Sequence, residues 1–178
     1  MAKVVMGIGI PGSGKTTKLK EFAEKNNYYY ISTDDIRQEL LGDAKNQNQM
    51  KLIWDTAYLR VKESISLGKS VVFDATFTNP KIRSQAIDLF RSFGANKVQG
   101  IFLDVDVAVA QERNKNRERV VPAYAIDRMY NEILSSEPGV VDGFDSVFFL
   151  NDTGKLVEVE MMIGNKEINK KFEGRKYA

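Results

Sequence analysis

The sequence predicts an α/β fold, in which an open parallel sheet has helices on both faces and is followed by a short C-terminal β-hairpin. Short apolar runs alternate with helical patterns through the first 150 residues, as is typical of parallel sheets. Several runs, such as Val71-Val72-Phe73, are apolar throughout, as expected of strands that helices cover on both sides. A turn-rich segment, 151–155, then precedes an alternating segment, 156–163, which indicates an antiparallel strand.

The order of the elements follows from apolar periodicity and from residues that start or stop helices. The predicted parallel strands cover residues 3–10, 28–31, 70–73, 98–103 and 147–150. The predicted helices cover residues 16–25, 47–67, 80–93 and 122–137. Asn79 and Pro80 are the expected cap and first residue of the third helix. Its apolar side chains, including Ile82 and Phe90, are expected to face the core.

Composition limits the classes of function. The net charge is only +2, so any surface that binds nucleic acid must be a local basic patch. The chain has no cysteine, which excludes disulfides, thiolate zinc sites and cysteine nucleophiles. It also has no histidine, so a carboxylate, Lys or Tyr must act as the general base. No apolar stretch approaches the roughly 18 residues that span a bilayer, and we therefore expect a soluble, cytoplasmic protein with no membrane partner.

A phosphate-binding motif follows the first predicted strand. Residues 9–16 read Gly-Ile-Pro-Gly-Ser-Gly-Lys-Thr, which matches G-x-x-x-x-G-K-[ST]. In this motif backbone N–H groups surround phosphate oxygens, the lysine approaches the β and γ phosphates, and the hydroxyl is a ligand for Mg²⁺. The motif predicts a P-loop NTPase-type fold that binds ATP or another nucleoside triphosphate together with Mg²⁺. The expected nucleotide-binding residues are Gly12, Ser13, Gly14, Lys15, Thr16 and Thr17.

A second candidate site lies at the end of the second strand. Asp34 and Asp35 are followed by Arg37, and ligands of open parallel sheets gather where the strands end. One carboxylate, Asp34, can accept the proton of an attacking hydroxyl, while Arg37 binds a substrate phosphate. The same residues also fit a helix start, in which Ser32 or Thr33 and Asp35 form a capping box. Both interpretations can hold together.

The third candidate is Asp74, which closes the strand Val71-Val72-Phe73. An acid in this position commonly holds Mg²⁺, directly or through bound water, in phosphate-loop enzymes. An ordinary turn carboxylate is the structural alternative. The hydroxyl of Thr76, in the loop that follows, is a candidate substrate contact.

The fourth candidate is a pair of arginines. Arg113 and Arg117 are four residues apart, and this spacing predicts that they share one face of a helix. As a lid over the triphosphate, they would neutralise the charge that develops on the transferred phosphoryl group. A merely solvated helix face is the alternative.

These motifs together resemble the kinase domain of the bacteriophage polynucleotide 5′-hydroxyl kinase family. The phosphate loop, Asp34-Asp35-x-Arg37, Asp74 with Asn79-Pro80, Arg113-Asn114-x-x-Arg117 and the later Val121-Pro122 occur in that family's order. The resemblance covers roughly residues 1–135. The segment between Asp74 and Asn79-Pro80 is one residue longer here, which leaves the role of Thr76 open. That family's 3′-phosphatase domain has no counterpart after residue 150, so dual end-healing is not expected.

The resemblance implies a role for each matched residue. Lys15 and Thr16 would hold phosphates and magnesium, and Asp34 would be the base that acts on the 5′-hydroxyl. Arg37 would bind the 3′-phosphate of the acceptor nucleotide, and Asp74 would help to order the site. Arg117, together with Arg113, would stabilise the transition state.

The leading functional hypothesis is therefore transfer of the ATP γ-phosphate to the 5′-hydroxyl of DNA or RNA. The runner-up is a kinase for a small hydroxylated metabolite, of the nucleoside, nucleotide-sugar (zeta-toxin-like) or gluconate type. A nucleotide-sensing module without transferase activity is a third possibility. We expect one domain, with the kinase fold in 1–150 and a C-terminal hairpin and basic tail in 151–178, and homo-oligomers are compatible with the sequence.

Overall fold

The computed structural model of the protein describes residues 1–172, and within that range seven strands form one sheet. The strand order is β2-β3-β1-β4-β5-β6-β7. The strands are β1 (Lys3–Ile8), β2 (Tyr29–Ser32), β3 (Val71–Asp74), β4 (Lys97–Leu103), β5 (Ser146–Leu150), β6 (Leu156–Ile163) and β7 (Lys166–Lys171). The helices are α1 (Lys15–Asn26), α2 (Thr33–Leu41), α3 (Met50–Ser66), α4 (Pro80–Ser92), α5 (Val107–Lys115) and α6 (Ala123–Ser135), with a 3₁₀ turn at Val140–Asp142.

The first five strands pair in parallel, and β6 and β7 pair antiparallel. β1 lies between β3 and β4, with Val5 opposite Val72 and Gln99. All five central positions Val4 to Ile8 of β1 are buried. This apolar central strand delivers the phosphate loop at its carboxyl end, so the loop starts from a rigid base.

Helices cover both faces of the sheet, as predicted. On one face, Phe73 packs edge-on against Trp54 of α3 and Phe90 of α4, with ring centroids 5.8 and 5.7 Å apart. On the other face, a Cβ on Gly7 would lie 2.1 Å from Leu19 of α1. Only glycine at that position lets α1 approach the strand so closely. The α/β prediction and the helices on both faces are thus confirmed.

The third predicted helix is α4 of the structure, and the side chain that enters the core from it differs from the prediction. Asn79 caps α4 by accepting hydrogen bonds from the amides of Lys81 and Ile82, as expected. Ile82, however, is exposed, and Arg83 is fully buried in its place. Burial is tolerated because Arg83 pairs with Asp142 at 2.9 Å and donates to backbone carbonyls, including that of Thr78 at 2.8 Å.

The C-terminal segment is more ordered than the predicted basic tail. Residues 166–171 form β7, which pairs with β6 across a two-residue turn with Ile163 opposite Lys166. Gly164 has φ 60°, a left-handed conformation typical of such turns. The strand was missed because all six of its residues are exposed, so it lacks the apolar alternation that marks a strand. Arg175 and Lys176 lie outside the described residues.

No helix in residues 1–172 is long and apolar enough to cross a membrane.

Candidate active site

The carboxyl ends of β1, β2 and β3 open into one cleft of about 170 Å³. Its walls combine the phosphate loop, the start of α2, the end of β3 and the segment after α5. The charged side chains that line it are Lys15, Asp34, Arg37, Asp74, Arg117 and Arg119. Residues from four distant parts of the sequence therefore meet in a single space.

The phosphate loop has the backbone conformation that its glycines predict. Gly12 and Gly14 have φ 85° and 86°, values that residues with side chains rarely adopt. A Cβ on Gly12 would also lie 2.1 Å from the backbone oxygen of Ala110, so this glycine lets α5 dock on the loop. The Ser13 hydroxyl is buried, and within residues 1–172 it has no hydrogen-bond partner.

Asp74 is the centre of a buried polar cluster beside the loop. The residue is 3% exposed, and its carboxylate pairs with the Lys15 ammonium. It also accepts hydrogen bonds from the hydroxyls of Thr16 at 2.7 Å and Tyr30 at 2.5 Å. Burial opposes the charged form, but Lys15 and the hydrogen bonds outweigh it and hold the pKa of Asp74 below its ordinary value. Burial and the nearby Asp74 raise the pKa of Tyr30.

These residues fit a nucleotide with Mg²⁺. The orphaned Ser13 hydroxyl and the left-handed glycines form a cradle of donors that phosphate oxygens could satisfy. The Thr16 hydroxyl and the Asp74 carboxylate are adjacent oxygen donors, which is the ligand type that Mg²⁺ prefers. Thr16 and Asp74 could thus hold the metal, and Ser13, Gly14 and Lys15 could hold phosphates. Thr17 lies in the exposed first turn of α1.

Asp34 lies at the start of α2, in the segment that caps this helix and borders the cleft. Ser32 is the N-cap, and its hydroxyl accepts hydrogen bonds from the amides of Asp34 and Asp35. Asp35 is exposed, whereas Asp34 lines the cleft. The capping interpretation and the site interpretation of this segment are therefore compatible.

Two arginines hold the Asp34 carboxylate. Its Oδ1 accepts a hydrogen bond from Arg37 at 2.5 Å and another from Arg119 at 2.6 Å. Arg37 is 3% exposed, and its Nε has no partner within residues 1–172. A buried guanidinium with an unused donor can bind an anion that enters the cleft.

The predicted shared helix face of Arg113 and Arg117 is wrong. α5 ends at Lys115, so Arg117 lies beyond the helix and lines the cleft. Its amide donates to the Asn114 carbonyl at 3.1 Å, and within the described part of the chain no hydrogen bond or ion pair of its side chain is found. Arg113 instead donates to the Asp152 carbonyl at 2.9 Å, and its Nη1 lies 4.0 Å from a Cβ placed on Gly14. The two arginines therefore flank the phosphate loop separately.

The segment that presents Arg117 and Arg119 is fixed by Asn114. This buried side chain donates to the Val121 carbonyl at 2.8 Å and accepts from the Val121 amide at 3.0 Å. The chain between them thus forms a closed loop whose side chains can enter the cleft. The role of Asn114, the residue after Arg113, is therefore structural, because it closes this loop.

Arg119 and Tyr30 belong to the site but were not predicted from the sequence. Arg119 stands two residues after Arg117, and no periodicity marks it because the helix has already ended. Thr76 lines the cleft, as expected for a substrate contact, and its carbonyl accepts from the Gly9 amide at 3.1 Å. Thr78 is buried and instead donates to Glu132 at 2.6 Å.

Comparison with known proteins identifies the family and the fold. A family model described as an AAA domain matches residues 4–133. A chain of the Pnkp1/Rnl/Hen1 RNA repair complex is 18% identical with a TM-score of 0.69, and the match covers 76% of this chain and 45% of that one. The chain thus spans less than half of that structure's length.

Two further structures have the same fold. A sugar kinase from Janibacter sp. is 20% identical with a TM-score of 0.58, and the match covers 86% of both chains. A chain of the PezAT toxin–antitoxin system of Streptococcus pneumoniae is 14% identical with a TM-score of 0.64, covering 88% of this chain and 71% of that one. At these identities the likeness describes the fold alone.

Proposed function

The chain belongs to the AAA-domain family, and from this premise we propose that it is an ATP-dependent polynucleotide 5′-hydroxyl kinase. In this proposal the γ-phosphate of ATP is transferred to the 5′-hydroxyl of DNA or RNA. The observation that supports it best is that Asp34 shares one cleft with the phosphate loop and is held there by Arg37 and Arg119.

The residues of the cleft divide into a donor side and an acceptor side. Lys15, Thr16 and Asp74 lie together at the phosphate loop, and we assign them to ATP and Mg²⁺. Asp34 and Arg37 lie at the start of α2, and we assign them to the acceptor. Arg117, whose side chain has no hydrogen-bond or ion-pair partner within residues 1–172, lines the same cleft, and we assign it to the transferred phosphoryl group.

The reaction moves one phosphoryl group and one proton. The bond between the γ-phosphorus and the β-phosphate oxygen breaks, a bond to the acceptor oxygen forms, and the hydroxyl proton passes to the Asp34 carboxylate. Lys15 and Arg117 stabilise the charge on the transferred group. Mg²⁺, when it is bound, neutralises charge on the β and γ oxygens. With no histidine in the chain, a carboxylate is a natural choice for the base.

The charge of the cleft supports an anionic acceptor. Four cationic side chains line it against two acidic ones. ATP and Mg²⁺ account for Lys15 and Asp74, which leaves Arg37, Arg117 and Arg119 around Asp34. A nucleic-acid end brings a phosphate close to the hydroxyl that is phosphorylated, whereas a neutral sugar or nucleoside brings none.

A kinase for a small metabolite is the second candidate. It is favoured by the match to a sugar kinase over 86% of both chains. The two candidates predict different acceptors for the same donor chemistry, and a direct assay separates them.

Transfer of label from γ-labelled ATP tests the proposal. The acceptors are a 5′-hydroxyl oligonucleotide, the same oligonucleotide with a 5′-phosphate, and a panel of nucleosides, gluconate and sugars. We expect label on the 5′-hydroxyl oligonucleotide alone, and its loss in a Lys15→Ala variant. Label that appears only on a small acceptor would replace this proposal with the second candidate.

A further inference from the structure

A second cleft adjoins the first on the acceptor side. It has a volume of about 330 Å³ and is lined by Gln38, residues 43–45 and residues 117–119. Arg117 and Arg119 line both clefts. Within the part of the chain that is described, no residue of the phosphate loop lines the second cleft. It therefore meets the first cleft at these two arginines rather than at the phosphate loop.

Both walls of this cleft are fixed by hydrogen bonds between side chains and backbone. The Gln38 amide donates to the Gly42 carbonyl and accepts from the Ala44 amide, each at 3.0 Å. The Lys45 amide donates to the Asp43 carboxylate at 2.8 Å. These contacts hold the loop after α2 against its own helix and place Lys45 at the edge of the cleft. The opposite wall is the loop that Asn114 closes.

The charges of the second cleft favour an anion. Three cationic side chains, Lys45, Arg117 and Arg119, line it against Asp43 and Glu118. Asp43 already accepts the Lys45 amide, and Glu118 is exposed. Arg119 contacts Asp34 through Nη1, so its remaining donors are available to a second acceptor. A phosphate could thus lie between Arg119 and Lys45.

We propose that the second cleft binds the second nucleotide of the acceptor strand, with Arg119 and Lys45 holding its phosphate. This inference rests on the proposed polynucleotide kinase function. A strand whose 5′-hydroxyl lies at Asp34 and whose first phosphate lies at Arg37 continues past Arg119, because Arg119 forms part of both walls. The acceptor class is then an oligonucleotide with at least two phosphates rather than a mononucleotide.

The test compares acceptors that differ by one phosphate. A nucleoside 3′-phosphate, a dinucleotide with a 3′-phosphate and a tetranucleotide are assayed for kcat/KM with saturating ATP. In the wild-type protein we expect the second phosphate to raise kcat/KM on the order of tenfold, the worth of one contact to a charged group. In Lys45→Ala and Arg119→Gln we expect most of that gain to be lost, with a larger loss for the longer acceptor than for the shorter one.

Binding of a fluorescent 5′-hydroxyl tetranucleotide provides a readout that does not depend on turnover. The slope of log K against log salt should fall by about 0.7 in Lys45→Ala, as expected when one contact to a single strand is removed. Lys166→Ala is the matched control, because this exposed lysine lies on β7 at the opposite edge of the sheet. Melting temperatures of all variants establish that they are folded.

Failure of this inference is distinct from failure of the proposed function. If the wild-type protein phosphorylates all three acceptors equally well, or both variants keep the full gain, the second cleft is not a nucleotide subsite although the kinase assignment stands. If no 5′-hydroxyl end of any length accepts phosphate, both proposals are overturned.

Discussion

Two guanidinium groups meet at one oxygen of Asp34, although its side chain remains 44% exposed. Arg37 fixes the carboxylate from the buried side and Arg119 from the side of the loop after α5. Such a pair orients the carboxylate toward the space between them, where an acceptor hydroxyl would lie. In the proposed reaction this arrangement would combine a fixed base with sites for acceptor phosphate.

Replacing Asp34 tests its role as the base. Asp34→Asn keeps the size of the side chain and a hydrogen-bond acceptor for the arginines, but an amide cannot take the proton. We expect kcat to fall by about 10²–10⁴-fold, while the dissociation constant of ATP changes little. Asp35→Asn, an exposed neighbour on the same turn, is the control. An Asp34→Asn variant with near wild-type kcat would remove Asp34 from the reaction.

The Asp74 cluster should make the stability of the fold depend on pH. The pKa of Asp74 is lowered in the folded protein because Lys15 and the hydroxyl donors outweigh the effect of burial. Its ionised form therefore stabilises the fold above the ordinary aspartate pKa of about 3.9, and that contribution is lost as the pH falls through the lower, folded value.

The comparison of wild type with Asp74→Asn isolates this contribution. Urea denaturation at several pH values should show that the difference in free energy of unfolding shrinks on acidification from about pH 6 to about pH 3. Asp55→Asn, which alters an exposed carboxylate, controls for general effects of charge. A difference that stays constant or grows would mean that the Asp74 pKa is not lowered.

The site residues that follow strands were predictable from the sequence. Those that reach the site from distant parts of the chain were not. Lys15, Asp34 and Asp74 each follow an apolar run, so local pattern and the geometry of parallel sheets placed them in one cleft. Arg119 reaches Asp34 from 85 residues away, and Tyr30 reaches Asp74 from 44 residues away. No local sequence pattern predicts contacts between residues so far apart in the chain. Their roles in catalysis and binding remain predictions.

At the scale of elements, the docking of α5 on the phosphate loop connects the nucleotide site to the arginines. The loop contacts α5 where Gly12 meets the Ala110 backbone. α5 carries Arg113 and leads into the segment with Arg117 and Arg119. A shift of this helix would therefore move all three guanidinium groups relative to the loop.

Gly12→Ala tests this connection. Alanine at φ 85° costs about 1–2 kcal/mol in backbone conformation alone, and its Cβ also collides with Ala110. Gly42→Ala is the matched control, since Gly42 has φ 70° but nothing within 4 Å of a Cβ. We expect Gly12→Ala to lower the free energy of unfolding by more than Gly42→Ala, and to weaken ATP binding at least tenfold. Equal effects of the two changes on both measurements would mean that α5 does not depend on this contact.

Element boundaries were predicted well where an apolar face continues and poorly where it stops. α3 and α4 end within a residue or two of Gly68 and Gly94. By contrast, the end of α5 at Lys115 and the strand β7 are set by Asn114 and by pairing with β6. The burial of Arg83 was likewise not predictable from local sequence, because it depends on carbonyls and on an aspartate from other elements.

At the scale of the whole molecule, the sheet places the cleft directly on the aromatic core. Phe73 and Asp74 are consecutive residues of β3, and their side chains point to opposite faces. Asp74 contacts the phosphate loop, while Phe73 joins the aromatic cluster of α3 and α4. The P-loop NTPase-type α/β fold that the sequence predicted is confirmed, whereas the kinase activity, the acceptor and the division of the chain at residue 150 remain predictions.

Trp54 lies where the core meets the cleft. It is the single tryptophan of the sequence, its ring centroid is 5.6 Å from that of Phe77, and it lines the cleft together with Met50 and Gln47. Met50, one turn before Trp54 on α3, lies with its Sδ 3.6 Å from Nη2 of Arg37, a residue that we assign to the acceptor. The fluorescence of Trp54 should therefore respond to the acceptor more strongly than to ATP.

Titration of the protein with a 5′-hydroxyl oligonucleotide, with ATP and Mg²⁺ present, should give a saturable change in tryptophan emission. ATP and Mg²⁺ alone should give a smaller change, because the start of α3 contacts Arg37 through Met50, whereas the residues that we assign to ATP are Lys15 and Thr16. Trp54→Phe must abolish the signal, which verifies its source. Occupancy is measured in parallel by anisotropy of a labelled oligonucleotide. Saturation by anisotropy without any change in emission would place the acceptor outside this cleft, because a ligand within contact of an indole ring alters the polarity that the ring experiences.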